Sequence, residues 1–158
     1  MRRLLPALLA PSLALFACFT LARAAATYRG TVQGSQTASR MSEGVSLNLN
    51  AAGDLPGILT LSLKHEGGKV GGGSWTLTVL PPDADASSGE RGRLSGSVGG
   101  GALTIDANGI VTAADSLQLT IKSGEGHYAG VSGGGATLSL SADPRTPSKL
   151  VGPLTLNF

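Results

Sequence analysis

Cysteine is almost absent from this chain. The one thiol, Cys18, sits inside an apolar N-terminal run, so neither a disulfide framework nor a thiolate zinc module can be built. Histidine is nearly as scarce, and His65 and His127 leave little material for a metal cluster. Charged residues are only 14% of the 158, and aromatics only 4%. Glycine is what the chain has in quantity, at 24 residues, together with 8 Pro. These follow no Gly-X-Y period, which excludes collagen. A hydrophobic content of 41% argues against wholesale disorder. The length fits one domain, or one small domain behind a targeting segment.

The N-terminus reads as such a segment. Arg2 and Arg3 precede an uncharged, mostly apolar run from Leu4 to Ala22, and Ala22-Arg23-Ala24 and Ala24-Ala25-Ala26 follow. A basic head, an apolar middle and an Ala-x-Ala exit make a secretory signal peptide over residues 1–26, cut after Ala26 or after Ala24. Pro6 and Pro11 weaken the rival reading, a retained transmembrane helix. Leu15-Phe16-Ala17-Cys18 resembles a bacterial lipobox, with a bulky Phe16 against it, so lipid anchoring through Cys18 is a further alternative. Export to the periplasm or beyond is the expectation, with residues 27–158 as one domain.

Removing the segment changes the charge argument. Arg2, Arg3 and Arg23 leave with it, so nine basic residues face ten acidic ones. No Lys/Arg cluster remains to track a phosphate backbone, and nucleic acid is not an expected partner.

Residues 27–158 alternate with period two. Val45, Leu47 and Leu49 interleave with Ser46, Asn48 and Asn50; Leu59, Leu61 and Leu63 with Thr60, Ser62 and Lys64. Trp75-Leu77-Val79, Leu117-Leu119-Ile121 and Ala136-Leu138-Leu140 repeat the pattern, and Leu150, Leu154, Leu156 and Phe158 share one parity. Each run predicts a strand with one apolar and one Ser/Thr-rich face. Weaker runs lie at 28–32, 93–98, 102–105 and 110–113. Turn chemistry separates them at 51–54, at 66–69 and at Asn108-Gly109. Longer loops are expected at 81–93 and 142–148. Glycine runs at 71–73, 99–101 and 133–135 each enter a strand, where bends or bulges are the reading; a phosphate cradle would need a helix next. Eight to ten short strands predict an all-β fold: a small closed antiparallel barrel of about eight strands, or a β-sandwich, behind the cleavable signal helix.

Gly124-Glu125-Gly126-His127-Tyr128-Ala129-Gly130-Val131-Ser132-Gly133-Gly134-Gly135 resembles the glycine-rich hairpin of allene-oxide-cyclase-type barrels, a calycin-like pattern found in small secreted bacterial proteins of unassigned function. The resemblance implies an eight-stranded barrel over most of residues 27–158. It implies no catalytic residue, because the cyclases' Glu, Asn, Pro and Cys constellation cannot be placed on this chain.

No motif carries catalysis. No Gly-x-Ser-x-Gly elbow with an acid and a histidine is present, and Asp83 and Asp85 read as solvated loop acids. His65 and His127 read as rim and turn residues, and no cofactor or metal is expected. After signal removal only Tyr28, Trp75, Tyr128 and Phe158 remain as aromatics, too few by count for a stacking platform on single strands or sugars. The apolar parity places Leu61, Leu63, Trp75, Leu77, Leu119 and Leu138 on one face, the expected lining for a small apolar ligand. Three functional classes stay open. One is an exported soluble barrel that binds such a ligand or serves a structural role. Another is a cyclase- or isomerase-like enzyme on that barrel. The third is a small outer-membrane barrel, against which stand the scarce aromatics and short runs.

Overall fold

The computed structural model describes residues 25–40, 44–80 and 92–158. The signal segment with Cys18, and most of the loop expected at 81–93, lie outside the described residues. Eight strands follow in order: β1 (Thr27–Arg40), β2 (Gly44–Gly53), β3 (Gly57–Glu66), β4 (Lys69–Val79), β5 (Gly92–Ile105), β6 (Val111–Glu125), β7 (Gly135–Asp143) and β8 (Thr146–Asn157). A single 3-10 turn, Gly126–Tyr128, interrupts the path from β6 to β7. Every strand pairs antiparallel with its sequence neighbour, and β8 returns to β1, so the sheet closes into an up-and-down barrel. Closure leaves no unpaired edge strand.

Period two decides which side chains enter. Along β3, Leu59, Leu61 and Leu63 are buried while Thr60, Ser62 and Lys64 are exposed. Register carries this alternation around the barrel. Leu47 pairs with Leu61, Leu61 with Trp75 and Trp75 with Gly96, while Leu49, Leu59, Leu77 and Leu94 form the adjacent row. The interior is one contiguous apolar cluster with no buried polar or charged residue among the described residues. Outside, Asn48, Asn50, Thr60, Ser62, Lys64, Gln118, Thr120 and Lys122 face solvent.

Of three local departures from the sequence reading, two share one cause. The weak runs at 93–98 and 102–105 are a single strand, β5, joined through Gly99–Gly101, where the register to β6 shifts on both sides of Gly100. The runs at 110–113 and 117–121 join likewise as β6, through a bulge between Ala114 and Leu117 at which Ser116 takes φ 46°. Bulges reverse the inward parity, so each long strand presents as two short ones in sequence. At 142–148 the expected loop contracts to Pro144-Arg145. Asp143 accepts from the Arg145 amide at 2.9 Å, which closes the turn tightly. Pro147 then falls within β8 at a position without a ladder partner on either side, where its missing N–H costs nothing.

The two barrel ends differ. At the entry end, where β1 begins, lie the β2–β3 turn, the departure of β4, the arrival of β5 and the 3-10 turn. At the far end, among the described residues, lie the β3–β4, β5–β6 and β7–β8 turns, including Asn108-Gly109. The inward parity of β1 runs Tyr28, Gly30, Val32, Gly34, Gln36, which places a tyrosine at the entry end and a glutamine at the far end. Gln36 reaches the β5–β6 hairpin: its Nε2 donates to the Gly109 carbonyl at 3.0 Å and its Oε1 accepts from the Val111 amide at 2.9 Å.

Candidate functional site

The entry end is built from short-range fastenings. Asp54, in the β2–β3 turn, accepts from the Arg29 amide through Oδ2 at 2.8 Å, and its own amide donates to the Arg29 carbonyl at 3.1 Å. This reciprocal pair holds the turn against the start of β1. Leu55 thereby folds inward and is buried against the core. Ala26 exchanges both backbone hydrogen bonds with Phe158, at 2.9 and 3.1 Å, which extends the β1–β8 ladder by one pair. Tyr28 pairs with Leu156, so its ring and that of Phe158 are diagonal neighbours on one face. They stack, with centroids 4.8 Å apart and an interplanar angle of 17°.

Tyr128 enters from the opposite wall. The 3-10 turn delivers it: the Ala129 amide donates to the Gly126 carbonyl and the Val131 amide to the Tyr128 carbonyl, both at 3.0 Å. Its ring lies against Gly92 at the start of β5, where any Cβ would collide with the ring carbons. Beyond it, the Gly133 amide donates to the Ile121 carbonyl at 3.2 Å and fastens the glycine-rich segment back onto β6. The Tyr128 ring stands at 84° to that of Phe158, 6.0 Å away, and at 89° to the His127 imidazole, 5.7 Å away. Burial raises the Tyr128 phenol above its ordinary value, and the neighbouring Tyr28 adds to that.

The result is a cleft of about 540 Å³ walled by Tyr28, Tyr128, Phe158 and His127, with Asp54, Leu55, Val131 and Ser132 around them. Three of the four aromatic residues in 25–158 converge here. By count the aromatics are too few for a platform, but position decides the matter: each of the three lies at a strand end or turn on the same side of the barrel. No protein-family model, curated protein or solved structure matches this chain. The cleft must therefore be read from its own chemistry.

Leu61, Leu63, Trp75, Leu77, Leu119 and Leu138, the six residues expected to line a ligand, are all in the barrel interior and at most 3% exposed. They pack against one another, and none borders the entry-end cleft. A second cleft, of about 560 Å³, lies at the far end along His65, Gly67, Gly68, Ile105, Asp106 and Gly109. Its size is comparable, so volume does not choose between them. Among the described residues its walls hold no aromatic ring other than one imidazole, whose buried Nδ1 has no hydrogen-bond partner, and the Asp106 carboxylate there accepts from the Asn108 and Ile110 amides. His65 and His127 thus sit at opposite ends of the barrel. The sequence reading missed Tyr28, Asp54, Leu55, Tyr128 and Phe158 as site residues. One signal was available: Tyr28 and Phe158 hold the inward parity at the two chain positions that must be neighbours if the barrel closes.

Proposed function

We propose that this chain is an exported, water-soluble barrel that binds a small molecule at its entry-end aromatic cleft, without a catalytic step. The observation that carries the reading is the convergence of Tyr28, Tyr128 and Phe158 on one half-open cleft above a cluster of buried apolar side chains. Aromatic rings left part-exposed beside a few polar groups are the usual composition of a small-ligand site. We read that cluster as a filled interior, which leaves the rim as the place for a ligand. Water solubility is supported by the Asn, Ser, Thr and Lys residues of the outward parity, the reverse of a lipid-facing strand. Export is supported by the basic head, apolar run and Ala-x-Ala exit of residues 1–26.

The test is a titration with a neutral apolar dye, N-phenylnaphthylamine, followed by its own fluorescence. Saturable enhancement that is lost in Tyr28→Leu and retained in Tyr28→Phe supports the reading. Enhancement that is absent, or unaffected by Tyr28→Leu, rejects it.

A further inference from the structure

We propose that the entry-end cleft selects a methylated ammonium group, such as the headgroup of choline. This rests on the reading of the cleft as a small-ligand site and specifies its ligand. The first argument is the angle between the walls. The Tyr128 ring is nearly perpendicular both to Phe158, at 84°, and to His127, at 89°. Perpendicular rings in edge contact make a corner, in which a compact, roughly spherical group seats better than a planar one. A sugar or a planar heterocycle calls for a flat, open ring face as a floor. Here Tyr28 and Phe158 are stacked at 17°, so each offers a flat ligand only its remaining face.

The second argument is charge. Asp54 contributes a carboxylate to the lining, while among the described residues no lysine or arginine side chain borders the cleft. Its Oδ2 accepts from a backbone amide, and no ion pair to it exists among the described residues. An anionic ligand would be repelled by Asp54. A cation would meet the carboxylate and the electron-rich faces of the tyrosines, whose attraction for a cation strengthens when water is excluded. A methylated ammonium combines both needs, because it is positively charged and has an apolar, weakly hydrated surface.

The experiment is a proton nuclear magnetic resonance titration of the purified protein with choline and, separately, with its neutral carbon isostere, in which a tert-butyl group replaces the trimethylammonium. Ring currents should move the choline N-methyl signal upfield, and the isostere should bind at least about tenfold more weakly. Asp54→Asn keeps a carbonyl oxygen to accept from the Arg29 amide and removes only the charge. It should weaken choline about tenfold and leave the isostere unchanged. Vesicles of phosphatidylcholine, compared with phosphatidylglycerol, separate a lipid headgroup from a free ligand: selective cosedimentation assigns the cation to a lipid surface, and its absence alongside choline binding assigns a free solute. Equal affinity for choline and isostere overturns cation selection while leaving the apolar cleft standing. Failure of choline, isostere and the neutral dye alike overturns both.

Discussion

The Trp75 indole lies across Gly96. From β4 it spans the whole of β5, and its Nε1 donates to the Thr120 carbonyl on β6 at 3.2 Å. This is possible only because Gly96 has no side chain: a Cβ there would collide with the Thr120 carbonyl and lie 2.8 Å from the indole nitrogen. The largest interior side chain thus fills the space that the glycine leaves, and the buried indole N–H finds its acceptor.

Gly96→Ala should therefore destabilise the barrel by about 1–3 kcal/mol through overpacking. Trp75 is the only tryptophan, so its emission in a denaturant titration reports this directly. The folded variant should also emit further to the red than the wild type. An unchanged midpoint and spectrum would mean that the indole has another place to go.

Gln36 closes the far end. Gln36→Leu preserves most of the volume but strands the Val111 amide and the Gly109 carbonyl, which it now pairs. The cost should be about 1–3 kcal/mol, the desolvation of part-buried backbone groups. Hydrogen exchange should accelerate at Val111 and its hairpin, while dye binding at the opposite end stays intact. Uniform acceleration across all strands would assign Gln36 a global role instead.

Alternation made most of the barrel readable. Leu47, Leu61 and Leu77 are inward because Asn48, Thr60 and Thr76 are poor company for a core, and the two-residue period holds wherever a strand runs without a bulge. The bulges at Gly99–Gly101 and near Ser116 were not readable as joins within strands, because a parity reversal resembles an interruption. The cleft was legible only in part. Its residues are brought together by closure, Tyr28 and Phe158 from opposite ends of the domain and Tyr128 from a turn, and no local window contains all three. The inward parity of Leu61, Trp75 and Leu138 does not reveal whether they line a space or fill it, since both states have the same pattern.

Burial of the Tyr128 phenol, aided by Tyr28, raises its pKa in the folded state. The neutral form is favoured by folding, so this contribution is fully present below the ordinary tyrosine value of about 10 and is lost as pH rises through the folded value. Tyrosinate absorbance in an alkaline titration should show a late component that disappears in Tyr128→Phe. Loss in Tyr128→Phe of a component that titrates at the ordinary tyrosine value would contradict the burial of this ring.

Ala26 already belongs to the β1–β8 ladder through its two bonds with Phe158. Cleavage after Ala24 retains that pair, and cleavage after Ala26 deletes it beside the cleft. Intact-mass measurement of exported protein should give an N-terminus at Ala25. A diacylglyceryl adduct on Cys18 would instead establish a lipid-anchored protein.

The most direct measurement is a resonance-by-resonance map of the isotopically labelled protein titrated with N-phenylnaphthylamine. The expected result is saturable shifts confined to the entry end, at Ala26, Tyr28, Leu55, Tyr128, Val131 and Phe158, with the Trp75 indole N–H signal unmoved. Shifts centred on Trp75, Leu61 and Leu77, with the entry end silent, would place the ligand inside the barrel and contradict a filled core with binding at the rim.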